Sequence, residues 1–348
     1  MAVRDIILIG ASAGGVQALS NLVGGFPPDF PAAVFIVLHV SPYGNSAMPA
    51  ILSRAGHLPA VHPRDGEPVQ PGRVYVAPPD YHLVVQDGLV RLSRAPTENA
   101  QRPAVDVLFR SAAQAYGRRV MAVVLTGNLD DGTAGLAVVK RHGGTAVVQD
   151  PEEADYPSMP LSAIANVDVD HILPLAGIAP LLVELNRVPV EELQPSQPEA
   201  QPEDGDMKEE LERGKDREEH GVPSDLTCPE CGGSLRESRV EEVVHFRCRT
   251  GHAYSPETLL VKQDDVIEAA LWAAVRSLLE NAALARRMER RMSQGNRLSP
   301  GAQQHYNTRA QEAERYAEVL RRMIVEDKEK DEEKQKDELR AALPLRMT

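Results

Sequence analysis

Aromatic residues make up only 4% of the 348-residue chain, with a single tryptophan, and there are three cysteines. Three cysteines are too few for a disulfide framework. They also lie close together, between Cys228 and Cys248, which suits a metal site better than cross-links. No run approaches the roughly 20 apolar residues of a spanning helix, so membrane insertion is not expected. The opening stretch, MAVRDIILIGASAGG, is apolar too briefly to be a secretory signal, and the reading is cytoplasmic. Basic residues are in deficit, 38 against 51 acidic, for a net charge of −13. That balance argues against non-specific nucleic-acid binding and against attraction to an anionic lipid surface. Most of the acid lies beyond Glu191, so it characterises the second half of the chain.

A chain of this length exceeds one ordinary core, and its composition changes along it. In residues 1–188, short β-branched runs alternate with helical patterns: DIILI, AVFIVLHV, VMAVVLTG and GTAVVQD read as strands. That rhythm predicts an α/β domain with a parallel sheet. Between His62 and Arg94 the segments alternate and carry a QDGL turn, predicting an antiparallel hairpin. Residues 189–224 are rich in proline, glutamine and acid and read as a linker. All the cysteines fall within 225–256. Residues 257–341 predict a helical hairpin. Its seam is Leu271, Val275, Leu278, Ala282 and Ala285 against Tyr306, Ala310, Ala313, Ala317, Leu320 and Ile324. Ser299 is expected to cap the second helix ahead of Pro300, and 342–348 form a tail.

The first strand runs into Gly10-Ala11-Ser12-Ala13-Gly14-Gly15 and then a helix. A dinucleotide fingerprint needs a glycine where Ser12 stands, so that the backbone can approach a pyrophosphate. It also needs an acid at the end of the second strand, where this chain has His39. The same residues fit a nucleophile elbow, with a serine presented at a strand-to-helix turn. Ser12, His39 and Asp131 each follow the carboxyl end of an apolar strand, where ligands bind in parallel sheets. Taken singly, each has a plainer role: Ser12 as a helix cap, His39 as a strand-end histidine, Asp131 as an N-cap. Together they predict acyl transfer. His39 takes the Ser12 proton, Asp131 orients the imidazole, and N–H groups of Ala13, Gly14 and Asn128 receive the oxyanion.

Cys228-Pro-Glu-Cys231 and Cys248-Arg-Thr-Gly-His252 give C-x2-C-x16-C-x3-H. Two short pairs of three thiols and an imidazole suit tetrahedral zinc, and four protein ligands leave no open position, so the site is expected to be structural. His245 is an alternative ligand, ranked lower because it falls within a strand pattern.

At this point a resemblance can be stated. IGASAGG, VLHVSPYGNSAMPAIL, VYVAPPDYHL, RPAVDVLFRSAA, LTGNLDDGTAGL, GGTAVVQD and MPLSAIANVDVDHILPL follow one another as in the catalytic domain of the chemotaxis protein-glutamate methylesterase, CheB, and cover nearly all of residues 4–185. The resemblance implies a doubly wound, Rossmann-like parallel sheet with a short antiparallel pair, and it selects Asp131 over Asp130 as the third catalytic member. It implies hydrolysis of glutamate methyl esters on chemoreceptor signalling helices, with glutamine deamidation as a related activity and no catalytic cofactor. A methylated chemoreceptor is the expected partner, with a separate response regulator or histidine kinase as a further one, since the family's phosphoacceptor receiver is not seen ahead of the catalytic pattern. Asn128-Leu129 stands where the family usually has Met-Gly, and Ala13 where threonine is common. The alternatives are a non-catalytic scaffold on the same fold and a hydrolase of another ester.

Overall fold

The computed structural model describes residues 2–44, 46–190, 221–240, 243–293 and 300–341. Most of the expected linker, the tail and Ser299 lie outside the described residues. Two compact units result, Met1–Leu260 and Val261–Thr348.

The first unit begins with β1 (Ala2–Val3), β2 (Ile6–Ala11), α1 (Gly15–Gly24), β3 (Ala33–Leu38) and α2 (Met48–Ala55). It continues through β4 (Ala60–Val61), β5 (Glu67–Pro68), β6 (Arg73–Val76), β7 (His82–Gln86), β8 (Leu89–Ser93) and α3 (Val105–Tyr116). Then come β9 (Val120–Val124), α4 (Thr133–Arg141), β10 (Thr145–Gln149), α5 (Ser158–Asn166), β11 (His171–Leu173), α6 (Leu175–Asn186) and β12 (Pro189–Val190). Seven of these strands form one sheet in the order β11-β10-β9-β2-β3-β6-β4, and every pairing in it is parallel. Strands buried on both faces must be apolar throughout, and β2, β3 and β9 are buried at every position. Along β2, Ile7, Ile9 and Ala11 pack with α1, α2 and α6, whereas Ile6 and Leu8 pack with α3, α4, α5 and the β7–β8 hairpin. Each such isoleucine or leucine contributes about 1.5–3 kcal/mol by leaving water.

The chain leaves β2 towards β3 on one side and later returns to β9 on the other. A crevice therefore opens at the carboxyl end of β2, the usual ligand position in open parallel sheets. The expected hairpin is β7–β8, antiparallel and joined by Asp87-Gly88, both at positive φ as a tight hairpin turn requires.

The cysteine region folds as β13 (Val222–Thr227), β14 (Ser234–Val240), β15 (Val243–Cys248) and β16 (Ala253–Tyr254), an antiparallel sheet within the first unit. Its core is small: Cys228, Leu235, Cys248, Tyr254 and Leu259. α7 (Pro256–Ser293) and α8 (Pro300–Ala341) complete the described chain. In the second unit Leu271, Val275 and Leu278 meet Ala317, Leu320 and Ile324, as the periodicity predicts. Arg309 donates to Asn281 at 3.1 Å and Arg286 to Asn307 at 2.8 Å, so the pairing moves down one helix as it moves up the other, and the helices are antiparallel. Among the described residues no helix is long and apolar enough to cross a membrane.

Candidate active site

Ser12 sits one residue past β2, in a turn closed by the Gly15 N–H donating to Ser12 O at 2.9 Å. The Ser12 N–H donates to Thr126 O at 3.0 Å, and Thr126 Oγ1 donates to Ala13 O at 3.0 Å, so the turn is tied to the loop after β9. Gly14 caps α1 at φ 74, in the left-handed region. His39 follows β3, its N–H held by Ala11 O at 3.2 Å. Asp131 lies beyond β9, just before α4. Three separate strand ends thus deliver the three side chains to one place. His39 Nδ1 lies 3.1 Å from Ser12 Oγ, and His39 Nε2 lies 2.7 Å from Asp131 Oδ2. With the proton on Nε2, donated to Asp131, Nδ1 is free to accept the Ser12 hydroxyl proton.

Four donors surround the Asp131 carboxylate. Oδ2 accepts His39 Nε2 and the Val105 N–H at 2.7 Å, and Oδ1 accepts the Asp106 N–H and Asn99 Nδ2, each at 3.1 Å. Val105 and Asp106 open α3, so the carboxylate takes up the unpaired N–H groups of a helix N-terminus. Burial works to raise the Asp131 pKa, but His39 and these N–H groups outweigh it and hold the carboxyl below the usual range.

The sequence reading did not include Asn99 or Asp106. Asp106 is buried and accepts the Gly132 and Gly135 N–H groups at 3.0 and 2.6 Å, fixing the loop that carries Asp131. Burial, reinforced by the neighbouring Asp131 charge, pushes its pKa well up. Asp106 lies in RPAVD, one of the blocks that carry the resemblance; nothing in composition marks Asn99. Asp130 instead accepts Ser255 Oγ at 2.7 Å and Thr258 Oγ1 at 3.0 Å. Burial lifts it to about 6 against the pull of those two hydroxyls.

Of the three residues expected to receive the oxyanion, Ala13 and Gly14 lie in the turn before α1 and Asn128 lies exposed in the loop after β9. Its neighbour Leu129 adopts φ 62, a conformation that suits glycine and strains a leucine. Leu129→Gly is therefore expected to hold or raise the urea midpoint, whereas the β-branched Leu129→Val lowers stability by about 1–2 kcal/mol. Equal midpoints for the two variants would show that the loop carries no strain.

The other cluster is Cys228, Cys231, Cys248 and His252, whose ligand atoms all lie within 4.8 Å of one another. Cys231 and Cys248 Sγ are 3.6 Å apart, and His252 Nδ1 lies 3.6 and 3.5 Å from Cys228 and Cys248 Sγ. Metal–sulfur bonds of about 2.3 Å in a tetrahedron place sulfurs about 3.8 Å apart, so the four can hold a metal ion. Cys231 is drawn down to about 6, chiefly by the Gly233 N–H and then by Thr250, which favours the thiolate that a metal needs. The other ring nitrogen of His252, Nε2, faces Glu230 Oε2 at 3.4 Å, the carboxylate partner that commonly orients a ligating histidine. His245 does not join the cluster; it is buried in β15, and burial lowers its pKa to about 4.

Residues 7–182 match the family model described as CheB methylesterase. The chain belongs to the CheB methylesterase family. Among its relatives, an Anaeromyxobacter dehalogenans protein-glutamate methylesterase/protein-glutamine glutaminase 2 is 40% identical over 183 residues, 53% of this chain and 54% of that protein. A Leptospira interrogans relative is 37% identical over 184 residues, 53% of this chain and 95% of its own length. The chain therefore spans about half of the Anaeromyxobacter protein (54%) and nearly all of the Leptospira one (95%). The crystal structure of the Thermotoga maritima CheB methylesterase catalytic domain superposes with a TM-score of 0.50 at 37% identity, covering 52% of this chain and 98% of that one. The CheB match ends before the cysteine cluster and the helical hairpin, so neither is accounted for by the family domain.

Proposed function

We propose that the chain is a cytoplasmic protein-glutamate methylesterase acting on methylated chemoreceptor helices in chemotaxis-type adaptation, and that it deamidates receptor glutamines by the same chemistry. The observation that carries this reading is the continuous hydrogen-bonded line from Ser12 through His39 to Asp131, set at the sheet crevice of a chain in the CheB family.

His39 Nδ1 takes the Ser12 hydroxyl proton as Oγ attacks the ester carbonyl. The negative charge that develops on the carbonyl oxygen is met by the N–H groups of Ala13, Gly14 and Asn128. Asp131, kept ionised by its donors, stabilises the imidazolium and fixes the ring. The imidazolium proton passes to the departing methoxide, which leaves as methanol. A water, deprotonated in turn by His39, attacks the acyl-serine and releases the glutamate carboxylate with Ser12 restored. For a glutamine the leaving group is ammonia.

Cys228, Cys231, Cys248 and His252 would hold a structural zinc. The ion would cross-link a sheet too small to carry a large core of its own.

The test is methanol release from a receptor cytoplasmic fragment carrying methylated glutamates, with Ser12→Ala as the control. Release by the wild type and not by the variant is expected. A wild type that releases methanol from none of the host's receptors would sink the reading.

A further inference from the structure

The cysteine module is joined to the candidate triad through residues 97–99. The Ala253 N–H donates to Thr97 O at 3.1 Å, and the Asn99 N–H donates to Ala253 O at 2.8 Å. Ala253 directly follows the cluster residue His252. Glu230, which faces His252, accepts Thr97 Oγ1 at 2.6 Å. Glu98 is buried between Arg110 of α3, at 2.8 Å, and Arg247 of β15, at 3.1 Å.

Asn99 is where these contacts reach the catalytic acid. Its φ of 50 lies in the left-handed region, which asparagine tolerates better than most residues. Its Nδ2 donates to Asp131 Oδ1 at 3.1 Å and to Asp106 Oδ2 at 3.0 Å, while its Oδ1 accepts the Ser255 N–H at 2.9 Å. Ser255 and Thr258 meanwhile hold Asp130. The module thus grips one carboxylate of the Asp130-Asp131 pair directly and the other through Asn99.

We propose that Asn99 is a positioning residue for Asp131 and that the metal-loaded module is the clamp holding it, so that metal loading at Cys228, Cys231, Cys248 and His252 controls turnover at Ser12 without contacting substrate. The inference rests on the esterase and zinc readings above. Three cysteine sulfurs and an imidazole within 4.8 Å of one another would be tied together by a bound cation and would lose that tie without it. Releasing the ligands frees Ala253 and Ser255. Asn99 and Asp130 then lose the partners that fix them. A shift of about 1 Å in catalytic geometry is enough to cost about 100-fold in rate.

The test compares the full chain in zinc-loaded and chelator-stripped forms. Amide hydrogen exchange reports on Val105 and Asp106, whose N–H groups donate to Asp131, and a fluorophosphonate probe reports on attack by Ser12. Stripping is expected to raise exchange across 97–106 and 126–135, to leave α6 unchanged, and to slow Ser12 labelling about tenfold or more. Asn99→Gly keeps the positive-φ backbone and removes only the amide. It should slow labelling to a similar degree and lower kcat on a small ester with KM unchanged. Stripping that variant should add little, because both changes break one link. Exchange that changes only within 221–258, with labelling unaltered, would overturn the clamp. If stripped protein precipitates, Ser255→Pro, which removes the N–H that Asn99 accepts, provides the same comparison, and unchanged exchange at 97–106 would again overturn the clamp; a full chain that binds no zinc would overturn the control by metal. Coupled exchange in a wild type whose Ser12 is never labelled would remove the esterase reading and leave the clamp standing.

Discussion

Ser12→Ala and His39→Ala are each expected to lower kcat by about 10³- to 10⁶-fold, and the double variant to lose no more than the worse of the two. The reason is in the geometry. In the proposed reaction the 3.1 Å contact between Ser12 Oγ and His39 Nδ1 joins nucleophile and base in one device, and a base without a nucleophile has nothing to activate. Steady-state methanol release by the three proteins, with folding checked by urea midpoint, tests this. Losses that multiply in the double variant would mean that Ser12 and His39 act on different steps.

Gly127→Ala should be the most damaging single methyl group that can be added to the loop after β9. A Cβ at this position would lie 2.0 Å from Met159 Sδ and 2.8 Å from Ser12 Cβ. The methionine end can swing aside. The serine cannot, because its backbone is bonded to Thr126 O and Gly15 N. Overpacking of this kind costs about 1–3 kcal/mol, and displacing Ser12 should reduce turnover by about 100-fold. Adding Met159→Ala is expected to recover part of the stability lost to Gly127→Ala, relative to the sum of the single changes, and none of the turnover. Recovery of both would show that Met159, and not Ser12, is the neighbour that matters. Thermal midpoints and labelling rates for the four proteins separate these cases.

The parts of this arrangement that were legible in the sequence are those with a local signature. β2 and β3 announce themselves as unbroken apolar runs because both of their faces are buried, and the residues just past them, Ser12 and His39, fall at the sheet's carboxyl edge by that fact alone. The α7–α8 seam was legible for a similar reason, since Val275 and Ala317 belong to long and regular periodicities. The four cluster residues were legible through spacing, because two short loops must each supply a pair of ligands. Asn99 and Asp106 could not be read in this way. Their roles come from contacts with Asp131, which lies 32 and 25 residues further on, and no periodicity encodes such a pairing. Ser255 is an intermediate case. Ser255-Pro256 carries the same cap signature as Ser299-Pro300, with serine before a first-turn proline, and its hydroxyl accepts the Thr258 N–H at 3.1 Å. The capping contact is local, whereas its second task, holding Asp130, has no local signature, because that bond spans 125 residues.

The bond from the Ser255 N–H to Asn99 joins positions 156 residues apart, and the Arg247–Glu98 pair joins positions 149 apart. A polypeptide leaves the ribosome from its N-terminus at about 5–20 residues per second. The seven-stranded sheet and all three members of the candidate triad are synthesised well before Ser255 exists. Until Arg247 and Ser255 are made, Asn99 Oδ1 lacks the N–H it accepts in the finished chain, and Glu98 lacks the second of its two arginines. The order of synthesis therefore schedules the last strut of the site after everything the chemistry itself requires.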